Sequence, residues 1–133
     1  MPKITRPLRS VLYIPGSKER ALDKARGLAC DAIIFDLEDA VTPEEKPAAR
    51  ATLAEALKTG GYGNRLKVIR INGLDTPWGA DDAAAAALMG ADAILLPKVG
   101  SPADLDALAK IVGDIPLWAM METPGAMLNA PAI

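Results

Sequence analysis

The stretch DAIIFDLEDAVTPEEKPAARATLAEALKTGGYGNRLKVIRIN (residues 31–72) decides the fold. It opens and closes on apolar runs, DAIIFDLED (31–39) and LKVIRIN (66–72). The first run is continuously apolar, as strands covered on both faces are. Between them, Thr42-Pro43-Glu44-Glu45 starts a helix: a threonine cap, a proline at the first position and carboxylates in the first turn, where the helix dipole favours negative charge. That helix runs to about Lys58 and stops at Gly60-Gly61. A strand, a long helical crossover and a second strand make a parallel pair, because a tight hairpin cannot return the chain in the same direction.

The same grammar extends outward on both sides. Towards the N-terminus, SVLYIP (10–15) is a strand ended by Pro15-Gly16, and residues 17–29 read as a helix. Ser17 is its expected cap, with Arg20 where a full capping box has glutamate. Ala21, Ala25 and Leu28 form its inner face. Towards the C-terminus, GLDTPWGADD (73–82) is a loop with a new helix start, followed by an alanine-rich helix to Met89 and a stop at Gly90. ADAILLPK (91–98) is the fourth strand, Ser101-Pro102 opens a helix over 102–112 that ends at Gly113, and PLWAMMET (116–123) is the fifth strand. NAPAI (129–133) reads as the approach to another helix.

Strictly alternating strands and helices fit either an open doubly wound sheet or a barrel. The strand ends separate the two. Polar groups follow every strand: Ser17 and Lys18, then Asp36, Glu38 and Asp39, then Arg70 and Asn72, then Lys98, then Glu122. An open sheet concentrates its site in one crevice, whereas a barrel draws on all its strand ends. The predicted class is therefore α/β, a (β/α)8 TIM barrel. Residues 1–133 are expected to form a single N-terminal unit with about the first five strands and four helices. Five strands cannot close eight, so the remainder of the barrel is expected outside this sequence.

Composition narrows the chemistry. The chain has 133 residues, half of them hydrophobic, and a formal net charge of −2. A chain of this size buries roughly two-thirds of its unfolded surface. No basic field draws it to nucleic acid or to a membrane, and no zinc-finger or helix-turn-helix spacing occurs. The single cysteine, Cys30, forms no internal disulfide and reads as a small buried hydrophobe. With no histidine, Ser-His-Asp and Cys-His catalysis and imidazole metal sites are excluded from this segment. A metal here needs oxygen ligands, which favours Mg2+, Mn2+ or Ca2+ over zinc. MPKITRPLRS (1–10) lacks the apolar run of a leader, and no run of about 18 apolar residues occurs, so the cytoplasm is the expected compartment.

Five groups carry candidate chemistry, each beside a blander explanation. IPGSKER (14–20) offers backbone N–H groups at a helix start together with Lys18, Arg20 and, further on, Lys24, an anion-receiving pattern; it is equally an ordinary turn. Asp36, Glu38 and Asp39 crowd one strand end and repel unless a cation joins them; a structural ion pair with Arg70 or Lys98 is the alternative. Arg70 lies mid-strand among apolar residues, costly unless paired, and suited to a carboxylate or carbonyl through its parallel N–H donors. Lys98 is a salt-bridge partner for the acidic cluster in preference to a Schiff-base lysine. Glu122 ends the most hydrophobic strand and is either a hard-metal ligand or a buried acid with a raised pKa.

The runs YIPGSKERALDKA, DAIIFDLEDAV, EEKPAAR, VIRINGLDTPWG, ILLPKVGS and METPGAMLNA, in this order, resemble the HpcH/HpaI aldolase and citrate lyase β-subunit superfamily. They look most like its malyl-CoA, β-methylmalyl-CoA and citramalyl-CoA lyase branch. The resemblance implies a Mg2+-dependent carbon–carbon lyase, with Mn2+ possible, that cleaves a short 3-hydroxyacyl-CoA to a 2-oxo acid and acetyl- or propionyl-CoA. A (3S)-malyl-CoA thioesterase, a free-acid aldolase or a catalytically incomplete, complex-dependent subunit are the alternatives. By position, Arg70 matches the arginine that binds the substrate carboxylate or carbonyl, and Glu122 matches one of two acidic metal ligands. The other is an aspartate after the next strand. Tyr13, Lys18 and Lys24 match contacts to coenzyme A. Asp36, Glu38 and Asp39, with Lys98, are expected beside the metal site, touching it through water or another ligand. The resemblance also implies a homo-oligomer, a trimer or hexamer.

Overall fold

A computed structural model describes residues 6–133; the part of the N-terminal reading that falls on residues 1–5 lies outside them. The elements in chain order are β1 (Val11–Pro15), α1 (Glu19–Ala25), β2 (Ala32–Asp36), a 3-10 turn (Pro43–Glu45) leading into α2 (Lys46–Thr59), β3 (Leu66–Arg70), α3 (Gly79–Ala86), β4 (Ala93–Leu96), α4 (Pro102–Val112), β5 (Leu117–Ala119) and α5 (Pro124–Asn129). The five strands form one parallel sheet in the order β1-β2-β3-β4-β5. Each crossover moves one strand along without reversal. A doubly wound sheet needs a reversal point, so the order is that of a barrel arc.

The faces of the sheet confirm the arc. One core joins Ile33, Phe35, Ile69, Ile71, Ile94 and Leu96 to the helix residues Leu22, Ala25, Ala49, Leu53, Ala83, Ala86, Leu108 and Val112. On the opposite face, Ala32, Ile34, Leu66, Val68, Ala93 and Leu95 pack with Leu8, Trp118 and Met120, and no helix among the described residues contributes. Helices on one side and interdigitated strand side chains on the other are the two layers of a barrel wall. Register then sets the site. Asp36 stands opposite Arg70, and Tyr13 opposite Ile34, so Tyr13, Asp36 and Arg70 point to the helix-free face.

Several boundaries differ from expectation, for physical reasons. Ser17 does not cap α1; Lys18 occupies the cap position without a side-chain cap bond, and the Ser17 hydroxyl is buried without a partner among the described residues. Gly16 explains the offset. Its N–H donates to the Asp36 carbonyl at 2.8 Å, and a Cβ on it would lie 2.9 Å from Leu37 Cδ2. The turn is therefore drawn down onto the end of β2, and the helix begins a few residues later. The alanine-rich helix ends at Ala86 rather than Met89 because Leu88 and Met89 bond three residues back, to Ala85 and Ala86, tightening the last turn. β5 is three residues long, shorter than expected: Leu117, Trp118 and Ala119 are the residues that pair with β4. A fifth helix was expected only beyond NAPAI, but α5 forms before it. Thr123 Oγ1 accepts from the Ala126 N–H at 3.0 Å and Pro124 takes the first helical position.

Candidate active site at the strand ends

Asp36 and Arg70 organise the strand ends. Arg70 Nε donates to Asp36 Oδ1 at 2.7 Å and Nη2 to Oδ2 at 2.6 Å, and both side chains are almost fully buried. Asp36 also accepts the Glu38 and Ala40 N–H groups, each at 2.9 Å. Burial alone would push the Asp36 pKa up. The Arg70 fork and the two amides outweigh it and hold the carboxyl below its ordinary value. With four donors on two oxygens, Asp36 has no capacity left for a ligand. The Arg70 pKa is raised, first by its bond to Asp36.

Asp36 occupies only one edge of the guanidinium. The other, formed by Nη1 and the second N–H of Nη2, is not engaged by Asp36. Nη1 donates to Met120 Sδ at 3.5 Å, and the Tyr13 ring stacks beneath the cation with 4.8 Å from ring centre to Cζ. The Tyr13 hydroxyl donates to the same sulfur at 3.9 Å. Glu38 Oε1 lies 3.4 Å from Arg70 Nη1 but makes no aligned hydrogen bond. Glu38 Oε2 accepts from Lys98 Nζ at 3.1 Å. That bond, before the fields of Glu38, Asp39 and Glu122, raises the Lys98 pKa. Glu122 is exposed, and its Oε1 accepts the Lys98 N–H at 2.8 Å.

The structure thus brings Tyr13, Asp36, Glu38, Arg70 and Lys98 into one connected set, joins Glu122 to it through Lys98, and leaves Asp39 exposed beside it. Lys18 and Lys24 lie apart. Lys18 pairs with Glu45 at 2.9 Å, and Lys24 is exposed in the last turn of α1. Cys30 is a half-buried free thiol packed against the helix-side core.

A second polar cluster was not anticipated. The Lys46 ammonium, almost fully buried, donates to the carbonyls of Leu37 (3.2 Å) and Glu38 (2.7 Å) and to Asn72 Oδ1 (2.7 Å), beneath the Trp78 ring. Asn72 Nδ2 donates to Asp82 Oδ2 at 2.6 Å, and Arg50 Nε to Asp82 Oδ1 at 2.6 Å. The network pins the backbone that carries Glu38. Its signal was present in the sequence: Lys46 shares the buried stripe of α2 with Ala49 and Leu53, a place a lysine takes only when its charge is answered. Gly79 belongs to this packing too, since a Cβ there would collide with the Gly73 carbonyl oxygen.

A cleft of about 440 Å3 opens nearby, lined by residues that include Glu38, Asp39, Lys46, Trp78, Lys98 and Asp104. Arg70 and Glu122 do not line it. The cluster takes precedence over the cleft because it holds the partly uncommitted guanidinium and the exposed Glu122. The fit to a metal is partial. Among the described residues, no three acidic, cysteine or histidine side chains gather closely enough to hold a metal alone. Yet four carboxylates (Asp36, Glu38, Asp39, Glu122) surround two cations (Arg70, Lys98). All the donors are oxygen, and one Glu122 oxygen is free of the Lys98 amide. Mg2+ takes one or two carboxylates and completes its shell with water and substrate oxygens, so Glu122 fits as a contributor to such a site.

Sequential parallel strands, helices on one face only and charged groups at the strand ends define a barrel-type α/β enzyme. The chain belongs to the HpcH/HpaI aldolase/citrate lyase family, which it matches over residues 9–133. It is 63% identical over 127 residues to a (3S)-malyl-CoA thioesterase of Cereibacter sphaeroides, a match that covers 96% of this chain and 45% of the relative. It is 42% identical over 110 residues to an L-malyl-CoA/beta-methylmalyl-CoA lyase of the same species, covering 80% of this chain and 35% of that one. Among solved structures, protein CitE of Mycobacterium tuberculosis in complex with magnesium, acetoacetate and coenzyme A superposes with a TM-score of 0.74 at 30% identity, over 90% of this chain and 42% of that one. The chain spans about half the length of the curated relatives it matches. Family and fold stand as read from the sequence. The expected carbon–carbon lyase reaction does not, because the thioesterases match far more closely than the lyases. The motifs failed to separate the two because the roles expected of Arg70 and Glu122 suit either reaction.

Proposed function

We propose that the intact protein hydrolyses the thioester of a (3S)-malyl-CoA-type substrate with a divalent metal, Mg2+ or alternatively Mn2+. The observation that carries this reading is the 63% identity to a (3S)-malyl-CoA thioesterase across 96% of the chain. In the reaction the oxygen of water bonds to the thioester carbon, the C–S bond breaks, and the thiolate takes a proton to give free coenzyme A and a carboxylic acid. A metal held in part by Glu122 supplies positive charge to substrate oxygens. Arg70 presents its unforked edge to a substrate carboxylate or to the carbonyl oxygen as charge develops there. Asp36 keeps that edge aimed by holding the opposite one. Lys18 and Lys24, which follow β1 and lie apart from the Arg70 cluster, offer positive charge to the phosphates of coenzyme A, while Tyr13 stands within that cluster.

The reading includes the rest of the architecture. Residues 1–133 form the N-terminal part of an eight-stranded barrel, whose remaining strands cover the helix-free face and pair the open edges of β1 and β5. The whole works as a cytoplasmic homo-oligomer, a trimer or hexamer. Incubating the intact protein with (3S)-malyl-CoA and Mg2+ tests the reaction. Release of free coenzyme A and malate is expected; glyoxylate and acetyl-CoA as the products would overturn it.

A further inference from the structure

Lys98 has a φ of 51° and is the one non-glycine residue with positive φ among those described. L-residues other than Asn and Asp rarely adopt that conformation, because Cβ meets the backbone carbonyl, and the strain persists only where surroundings enforce it. The surroundings here are specific. Pro97 and Val99 on either side are buried. The Lys98 N–H donates to Glu122 Oε1 at 2.8 Å, the Val99 carbonyl accepts from Thr123 Oγ1 at 3.0 Å, and the Gly100 carbonyl accepts from Asn129 Nδ2 at 2.7 Å. Three consecutive backbone groups after β4 thus grip the segment from the end of β5 through α5. The Lys98 side chain is largely exposed and makes a separate bond, to Glu38 Oε2.

We propose that Lys98 is a positioning residue that acts through its backbone: the left-handed turn aims its amide at Glu122 Oε1 and so fixes the carboxylate that contributes to metal binding. The inference rests on the proposed role of Glu122. It assigns the work to the main chain, whereas the ammonium ties only Glu38. A residue that tolerates positive φ at position 98 preserves the aim even without a charge, and one that resists positive φ loses it even when the fold survives.

The test measures Mg2+ affinity by titration calorimetry on the intact protein, with folding checked by circular dichroism. Lys98→Gly is expected to bind Mg2+ within about threefold of the parent. Lys98→Val is expected to bind it about 10–100-fold more weakly, the range for loss of a partner that orients a metal ligand. If Lys98→Val does not fold, Lys98→Thr makes the same comparison, since β-branched residues resist positive φ more strongly than the parent lysine. Equal affinities in the glycine and valine variants, or a glycine variant as weak as the valine one, would overturn the proposal. Glu122→Gln separates the two levels. Parent-like Mg2+ affinity in that variant overturns the role of Glu122 itself, whereas lost affinity there with normal affinity in Lys98→Val overturns only the inference.

Discussion

Strand β2 is bracketed by two aspartates, each paired with an arginine, and they do different things. Asp31, just before the strand, accepts the Arg9 N–H at 2.8 Å and the Ser10 N–H at 3.1 Å, with the Arg9 guanidinium alongside at 3.3 Å. Led by the Arg9 side-chain bond, these donors bring its pKa to about 2. Asp36, at the strand's other end, is buried and forked by Arg70. Both carboxyls titrate low, so a low pKa alone does not mark function. What differs is the remainder. Arg9 is mostly exposed, and its Asp31 partner spends its oxygens closing the backbone ahead of β1. On the helix-free face Asp36 takes two of the five N–H donors of Arg70 and the Met120 sulfur a third, which leaves two uncommitted at the strand ends.

The largest effect expected from this contrast is on catalysis. Arg70→Lys keeps a positive charge but cannot satisfy Asp36 and present a second pair of donors together. The thioester hydrolysis proposed for the intact protein should fall about 100–1,000-fold, the scale for losing a donor to developing charge. Activity within a few-fold of the parent would remove Arg70 from the reacting centre. Asp36→Asn comes next. It leaves the buried guanidinium without a counter-charge, and breaking such a pair costs about 3–5 kcal/mol. Chemical denaturation should show that loss, while the equivalent Asp31→Asn should cost clearly less because its partner stays in water. Equal losses would mean that burial does not distinguish the two pairs.

How much of this contrast the sequence discloses depends on whether a residue's surroundings are local. β2, β3 and β4 were legible because strands covered on both sides must be apolar throughout, and Phe35, Ile69 and Ile94 are fully buried as that demands. The need of Arg70 for a partner was also legible, since a cation amid an apolar run cannot stand alone. Its particular partner was not: the register that sets Asp36 against Arg70 is a property of the sheet. Ser17 failed as a cap because Gly16 is pulled onto β2, a contact from 20 residues away in sequence. The Lys46–Asn72–Asp82–Arg50 network is not legible because its members come from α2, the loop after β3 and α3. The motifs do not separate thioester hydrolysis from carbon–carbon cleavage because the roles expected of Arg70 and Glu122 suit both.

Acidification gives a smaller test. Asp36 and Asp31 both have folded pKa values below the unfolded 3.8. A group shifted this way contributes stability that is complete above its unfolded pKa and is lost as pH falls through the folded one. Stability should therefore hold from neutral pH to about 4 and decline below it. In Asp36→Asn that acid-side decline should be shallower, because one of the two protonation events is gone. An unchanged slope below pH 4 would show that protonation of Asp36 is not linked to unfolding.

The smallest effect belongs to the guanidinium of Arg9. Asp31 takes two backbone amides that survive any change to the Arg9 side chain, so Arg9→Ala removes only the exposed ionic contribution. Exposed pairs contribute little and are screened by salt. Thermal unfolding at low ionic strength should show a slight loss in Arg9→Ala, and at about 1 M salt, where the screening length is about 3 Å, the variant and parent should coincide. Arg70→Ala should behave oppositely, since its partner is shielded from solvent and counter-ions: its deficit should persist in high salt. A deficit for Arg70→Ala that also vanished with salt would place the Asp36 pair in solvent contact and erase the distinction between the two ends of β2.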